Sequence, residues 1–205
     1  SMNSAFAVID IGGSSVKVTL MECDTHKTYS HSMAIQPISQ DGYIFLEPEK
    51  LLGQIIEAMN QVVSSADNDL KVIRISISSL RQGFCLVSGS REISPIYLNS
   101  DTSGRFARED EEKFGMKRMY SETGHWFAPQ LTLPKMINLK RNIPEKFDTS
   151  TKVLFVHDWL VWRFTGIQIT EMGLVSAGQL AAINKNQVNY EILHFFGFSE
   201  NILPD

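Results

Sequence analysis

The residues best equipped for chemistry stand together near the start of the chain: Asp10, Gly12, Gly13, Ser14, Ser15 and Lys17, within FAVIDIGGSSVKVTLMEC (6–23). An apolar strand ends in a carboxylate and opens into two glycines and two serines. Glycine lets backbone N–H groups approach a ligand closely, because no Cβ stands in the way. Several such N–H groups, with the Ser14 and Ser15 hydroxyls, form an anion cradle, and Lys17 adds positive charge. Asp10 would repel a phosphate unless a divalent cation lay between them; a carboxylate placed there suits Mg²⁺, held directly or through water. A plain hairpin turn with a capping aspartate accounts for the same octet. The run is neither a G-x-x-x-x-G-K-[ST] loop nor a G-x-G-x-x-G fingerprint.

Further along, Arg81 and Gln82 follow the strand VIRISIS at its carboxyl end, where ligands collect in α/β sheets. Arg offers a fixed fork of donors and Gln a donor and an acceptor, a pairing suited to vicinal hydroxyls; an exposed loop pair is the plainer reading. His125 and Trp126 lie in a loop before a helix. An aromatic wall suits the C–H face of a sugar, and loop packing explains the same residues. In the segment His157–Asp158–Trp159, Asp158 is expected to support a helix N-terminus and Trp159 to enter the core. The five histidines show no H-E-x-x-H spacing, and Cys23 and Cys85 stand alone, so no zinc site is expected.

The elements that must position these groups are read from periodicity. Residues 5–9 and 16–22 read as strands joined by a tight turn, with a third strand near 28–36. Pro48 opens a helix over 48–66, where Leu51, Leu52, Ile55, Ile56, Met59, Val62 and Val63 recur at helical spacing. Residues 72–78 alternate cleanly as a strand, and 84–88 and 96–99 form strands around a turn at Gly89. The run 103–117 is expected to be a solvated, charged helical face. Helices follow at 132–141, 157–165 (stopped by Gly166) and 189–197. Hairpin strands, then helix, strand and more helix predict a mixed α/β layer fold, its sheet part antiparallel and part parallel.

With 205 residues the chain can bury a full core. Its 43% apolar and 20% charged content is ordinary for a soluble globular protein. A net charge of −4 gives no reason to expect nucleic acid or an anionic membrane surface as partner. No apolar run reaches the roughly 18 residues of a membrane span, and the start lacks a signal pattern. The cysteines read as buried, reduced thiols inside strands, which predicts a cytoplasmic protein. Ser1 before Met2 reads as a remnant of tag removal.

The segments IDIGGSSVK, ISISSLRQG, PIYLNSD, ETGHWFAPQLTLPKMINLKRNIPEKF, KVLFVHDWLVWRFTG, TEMGLVSAG and ILHFFGFSENILPD, in that order, resemble the N-terminal half of the FGGY family of carbohydrate kinases. Within the family, SLRQG, NSD and VHDWL look most like the autoinducer-2 kinase branch, with xylulokinase-like members next. The resemblance implies an actin-like ATPase (ribonuclease H-like) fold, a mixed sheet flanked by helices. It makes the first hairpin a phosphate loop: Asp10 helps hold Mg²⁺–ATP, and Gly12, Gly13, Ser14, Ser15 and Lys17 border the β- and γ-phosphates. It places Arg81, Gln82, Asn99, Asp101 and Trp126 on the side of a small sugar or polyol substrate. Three positions depart from the family pattern: Gly13 stands where Thr is usual, Asn99 where many members have Trp, and Ser103 where Arg is usual.

The family's general base, an Asp in a Gly-x-x-Asp-x-x-x-Gly segment, is expected beyond Asp205, so no catalytic residue is assigned within the chain. By the same resemblance, residues 2–205 are expected to form an incomplete sugar-side domain, without the C-terminal ATP-binding domain, and to be inactive alone. A homodimer of the complete enzyme is left open. The other reading is a non-catalytic sugar-binding or regulatory protein on a kinase fold; a different actin-like ATPase is disfavoured by the Thr-Gly…Pro-Lys and His-Asp-Trp-Leu segments.

Overall fold

The computed structural model of the chain describes residues 2–67 and 69–205. In chain order the elements are β1 (Asn3–Ile11), β2 (Ser15–Glu22), β3 (Thr28–Ala34), β4 (Ile38–Gln40), β5 (Tyr43–Leu46), α1 (Pro48–Ser64) and β6 (Leu70–Ser79). Then come β7 (Phe84–Ser88), β8 (Arg91–Tyr97), a 3₁₀ turn (Ser103–Ala107), α2 (Arg108–Phe114), α3 (Met116–Thr123) and α4 (Thr132–Asn142). The last part holds β9 (Thr151–Phe155), α5 (Val156–Thr165), α6 (Met172–Ala177), the short pair β10 (Ala181–Ala182) and β11 (Gln187–Val188), and α7 (Tyr190–Phe195). They form two compact units: the first runs up to Pro37 and resumes at Leu46–Leu80, and the second comprises Ile38–Phe45 and Arg81–Asp205.

The first unit is a four-stranded sheet of order β3-β2-β1-β6 with α1 against it. β1 is antiparallel to β2 and parallel to β6, as the mixed pattern predicts. Strand periodicity divides β1: Ala5, Ala7, Ile9 and Ile11 are buried, while Phe6, Val8 and Asp10 are exposed. α1 turns Leu51, Ile55, Ala58 and Val62 inward, and each large aliphatic side chain so buried contributes about 1.5–3 kcal/mol. Asp10 pairs in register with Lys17 on one side and Ser78 on the other, which sets it on the opposite face of the sheet from that core.

The second unit holds a five-stranded sheet of order β4-β5-β8-β7-β9, in which β7 is antiparallel to both β8 and β9. Phe84, Leu86, Val153 and Phe155 from its strands share one core with Leu133 and Met136 of α4, Leu180, and Ile192 of α7. Every residue of α4 from Thr132 to Leu139 is buried, so this helix is a core element rather than an amphipathic surface one.

The structure corrects several expectations. The run 103–117 is not one solvated face: it divides into a 3₁₀ turn, α2 and, beyond Gly115, the start of α3, and it buries Glu111 completely. Sequence periodicity cannot show that, because the partner of Glu111, Gln179, lies 68 positions away. Cys23 follows the end of β2 and is only half-buried, whereas Cys85 lies inside β7, where burial pushes its thiol up to about 12. Asp158 does lie in the first turn of α5 but caps nothing; its Oδ1 faces the His157 ring at 3.1 Å. Trp159 enters the core as expected, its indole N–H reaching Glu92 at 2.9 Å. β4, β5 and β9 went unread. For the first two the signal was the Asp41–Gly42 pair, whose φ values of +52° and +83° make the hairpin turn; only the strand after it, Tyr43–Leu46, is an apolar run.

Candidate functional site

The candidate residues fall into two groups, one in each unit. In the first unit the β1–β2 connection is a short turn closed by a hydrogen bond from Gly12 N–H to the Ser15 carbonyl at 2.9 Å. The Ser14 carbonyl accepts from Ile35 N–H at 3.0 Å, tying the turn to the chain beyond β3. Gly13, Ser14, Asp10 and Lys17 are exposed, and Gly12 and Ser15 half-buried. The N–H groups of Gly13 and Ser14 find no acceptor, and the Asp10 carboxylate no donor, among the described residues. The sheet thus supplies a carboxylate at a strand end near two exposed residues with unoccupied peptide donors, with an ammonium across the ladder at Lys17.

In the second unit Arg81 is exposed and Gln82 half-buried. Gln82 adopts a left-handed conformation, φ +69°, rarely occupied by a non-glycine residue. The Thr132 hydroxyl, at the start of α4, donates to the Gln82 carbonyl at 3.1 Å and holds it there. Strain of this kind persists only where surrounding contacts enforce it. Gly178 makes room for that clamp, since a Cβ on it would lie 2.8 Å from Thr132 Oγ1.

Asn99 is half-buried, and its Oδ1 is enclosed without a partner among the described residues. Asp101 is fully buried; its Oδ2 accepts from Ile44 N–H at 2.7 Å and its Oδ1 from Ser103 N–H at 2.8 Å. Both oxygens are therefore engaged inside the protein, and the carboxylate organises the turn that presents Asn99. A residue that sequence reasoning missed completes this arrangement. Lys135 is fully buried on α4 and donates to the Leu98 carbonyl at 2.8 Å. Burial pulls its ammonium down to about 8, with the Asp101 carboxylate opposing that shift. A lysine flanked by Leu133, Pro134, Met136 and Ile137, within LTLPKMINL, was the available signal.

Trp126 is 54% exposed and stacks on Tyr120, ring centroids 4.5 Å apart and planes 10° from parallel. The neighbouring His125 ring fixes this loop, Nε2 lying 2.8 Å from the Ser176 carbonyl; since a carbonyl only accepts, Nε2 carries the proton. His157 is raised by its hydrogen bond to Asp158, against the effect of burial. Among the described residues no three His, Cys, Asp or Glu side chains gather to hold a metal.

Comparison with known proteins bears on the family and the fold. Residues 5–205 match the model of the FGGY family of carbohydrate kinases, N-terminal domain. The chain is 29% identical over 201 residues to a xylulose kinase of Bacillus subtilis, covering 96% of this chain and 40% of that protein. Its fold is that of a gluconate kinase from Lactobacillus acidophilus, with a TM-score of 0.88 at 18% identity, over 99% of this chain and 42% of that one. It likewise matches a Plasmodium falciparum glycerol kinase solved with ADP, with a TM-score of 0.88 at 18% identity, over 99% and 43% of the two chains. The chain spans about two fifths of the length of these relatives. The α/β architecture with its mixed sheet is accordingly the actin-like fold of these kinases. This chain belongs to the FGGY family of carbohydrate kinases.

Proposed function

We propose that the chain is the sugar-side part of an ATP-dependent carbohydrate kinase, which passes the γ-phosphate of ATP to a hydroxyl of a small sugar or polyol. The observation that carries this reading is the β1–β2 turn, with an exposed carboxylate beside two peptide N–H groups that no described residue occupies. A single carboxylate suits Mg²⁺, which keeps several waters and takes phosphate oxygens as its other ligands. Bound here, Mg²⁺–ATP would supply the transferable phosphoryl group. The Gly13 and Ser14 N–H groups, the Ser14 and Ser15 hydroxyls and the Lys17 ammonium would hold its phosphate oxygens, with Gly12, whose own N–H closes the turn, bordering them without a Cβ; these donors need no large rearrangement as charge develops.

On the acceptor side, Arg81 and Gln82 would orient vicinal hydroxyls, with Gln82 fixed through Thr132. Asn99 would offer its enclosed amide oxygen, and Trp126 an aromatic face for C–H groups. Asp101 would act through the turn it braces. No residue of this chain is assigned as general base. A pentulose is the first acceptor to try, because a xylulose kinase stands among the relatives. Use of ATP and the free Cys85 thiol support a cytosolic enzyme.

The reading is tested by titrating the ¹⁵N-labelled chain with Mg²⁺–ATP. Gly13 and Ser14 amide resonances should move, the movement should need Mg²⁺, and Asp10→Ala should abolish that need. Unchanged metal dependence in the variant would remove Asp10 from the metal site. Resonances that ignore nucleotide while Arg81 and Gln82 respond to sugar would favour a binding protein on a kinase fold, the reading that the Gly13, Asn99 and Ser103 departures suit.

A further inference from the structure

We propose that the second unit carries an additional small-molecule site, shaped for a neutral polyhydroxy compound, whose lining includes none of the residues assigned above to the substrate. It is a groove of about 490 Å³, bounded by the β4–β5 turn, the 3₁₀ turn and the end of α4, and of the size that small ligands occupy.

Two hydroxyl groups give the groove its chemistry. Ser103 is 2% exposed, and its Oγ has no hydrogen-bond partner among the described residues. Buried hydroxyls are ordinarily paired, so an orphan lining a cavity points to an occupant. Tyr43 is the complement. Its Oη accepts from Asn138 Nδ2 at 3.3 Å and Asn142 Nδ2 at 3.1 Å, which leaves its own hydrogen to be given outward. Asn142 is itself held by the Asn138 carbonyl at 3.0 Å, so the tyrosine oxygen is fixed from behind. A polyol hydroxyl both donates and accepts, and neighbouring hydroxyls on one carbon chain can answer both groups.

The rim selects against charge. Asp41 stands on one side and Arg141 on the other. The Arg141 guanidinium is already engaged by the Phe106 carbonyl at 3.0 Å and by the Asp110 carboxylate. The Arg105 guanidinium also stands beside Gly42, so the rim carries charges of both signs and favours neither an anion nor a cation over a neutral ligand. The Phe106 ring, 56% exposed with Arg105 over it at 4.3 Å, offers its remaining apolar surface to C–H groups. The wall at Asp41–Gly42 is a two-residue turn with both φ values positive, a tight connection that fixes the position of Tyr43.

The test is a titration of the ¹⁵N-labelled 205-residue chain with xylitol, with sodium sulfate as a charged control. Xylitol should move the Gly42, Tyr43 and Ser103 amides saturably, at millimolar concentration, and sulfate should not. Ser103→Ala deletes a hydroxyl that no described residue uses, so the fold should stay intact; it should weaken xylitol binding about tenfold, the effect of one hydrogen bond. Tyr43→Phe should weaken it similarly, and Gln82→Ala, a change in the separate substrate site where xylitol can also bind, should leave the titration read at Gly42 and Tyr43 unchanged. The proposal is overturned if the three amides stay still, if they drift linearly without saturating, or if Ser103→Ala binds xylitol like the parent, which would mean that only water occupies the groove. The kinase reading is probed separately by the Mg²⁺–ATP titration, so either can fail alone.

Discussion

A carboxyl group taken out of water holds its proton more tightly, because its charged form loses hydration. Glu111 is fully buried on α2, one oxygen accepting from Gln179 Nε2 at 2.8 Å and the other without a partner among the described residues. Burial pushes its pKa up from 4.5 to about 7. Between those values the folded state binds more protons than the unfolded one. The stabilisation is therefore full below pH 4.5 and is lost as pH rises through 7, a loss on the order of 3 kcal/mol. Glu111→Gln keeps the acceptor and removes the titration. It should be the more stable protein at pH 8 and lack this share of the slope, which urea melts across pH 5–8 would measure; parallel slopes would contradict it. Asp101 poses a different problem. Asp101→Asn would turn an amide NH₂ toward either Ile44 N–H or Ser103 N–H, donor against donor. The expected loss is about 1–3 kcal/mol in the same melts, and an unchanged midpoint would deny Asp101 its bracing role.

At the scale of elements, α4 links the second unit's core to its candidate site. Its buried face packs with β7 and β9, its first residue holds the Gln82 carbonyl, and its lysine holds the Leu98 carbonyl. The N-terminal clamp depends on a glycine from another segment. Gly178→Ala would place a methyl group 2.8 Å from Thr132 Oγ1, closer than real contacts allow, and 3.0 Å from Thr132 Cβ, at the tight end of real contacts. The hydroxyl must move, and Gln82 then loses what keeps it at φ +69°. Overpacking of this kind costs about 1–3 kcal/mol. Beyond that loss, sugar affinity at the Arg81–Gln82 loop should fall, while Mg²⁺–ATP shifts at Gly13 and Ser14 should persist. Equal loss at both would show a general collapse rather than a broken clamp.

At the scale of the whole molecule, the first unit shows apolar surface on both faces of its sheet. Ile75 lies beside Ala7 in the β1–β6 register, on the same side as the α1 core, and Ile73 stands at the bulge where the register shifts. α1 packs on β2 and β3, and Ile73 and Ile75 remain 40% and 43% exposed on a strand at the sheet edge. On the opposite face Phe6 and Val8 are 38% and 43% exposed. An edge strand with exposed isoleucines is a template for pairing with another chain. The 205-residue protein should self-associate as concentration rises, and Ile73→Thr with Ile75→Lys should suppress this without lowering the urea midpoint appreciably. Light scattering on both proteins decides it; equal scattering would place the sticky surface elsewhere.

Much of this molecule was legible in its sequence. The β1–β2 turn, α1 and β6 follow from local periodicity and from Asp, Gly and Pro at positions where backbone geometry demands them. The order of short motifs along the chain identified the family, because each marks a turn or helix start that the fold needs in that sequence. Local patterns carry no information about partners far along the chain, and those contacts decided the rest. Glu111 looks like one more surface acid until Gln179 meets it. Asp101 looks like a ligand to sugar until two backbone N–H groups occupy it. Lys135 gives no hint of the Leu98 carbonyl, 37 positions away, that it serves. Burial and charge are properties of what surrounds a side chain, and only the folded chain supplies those surroundings.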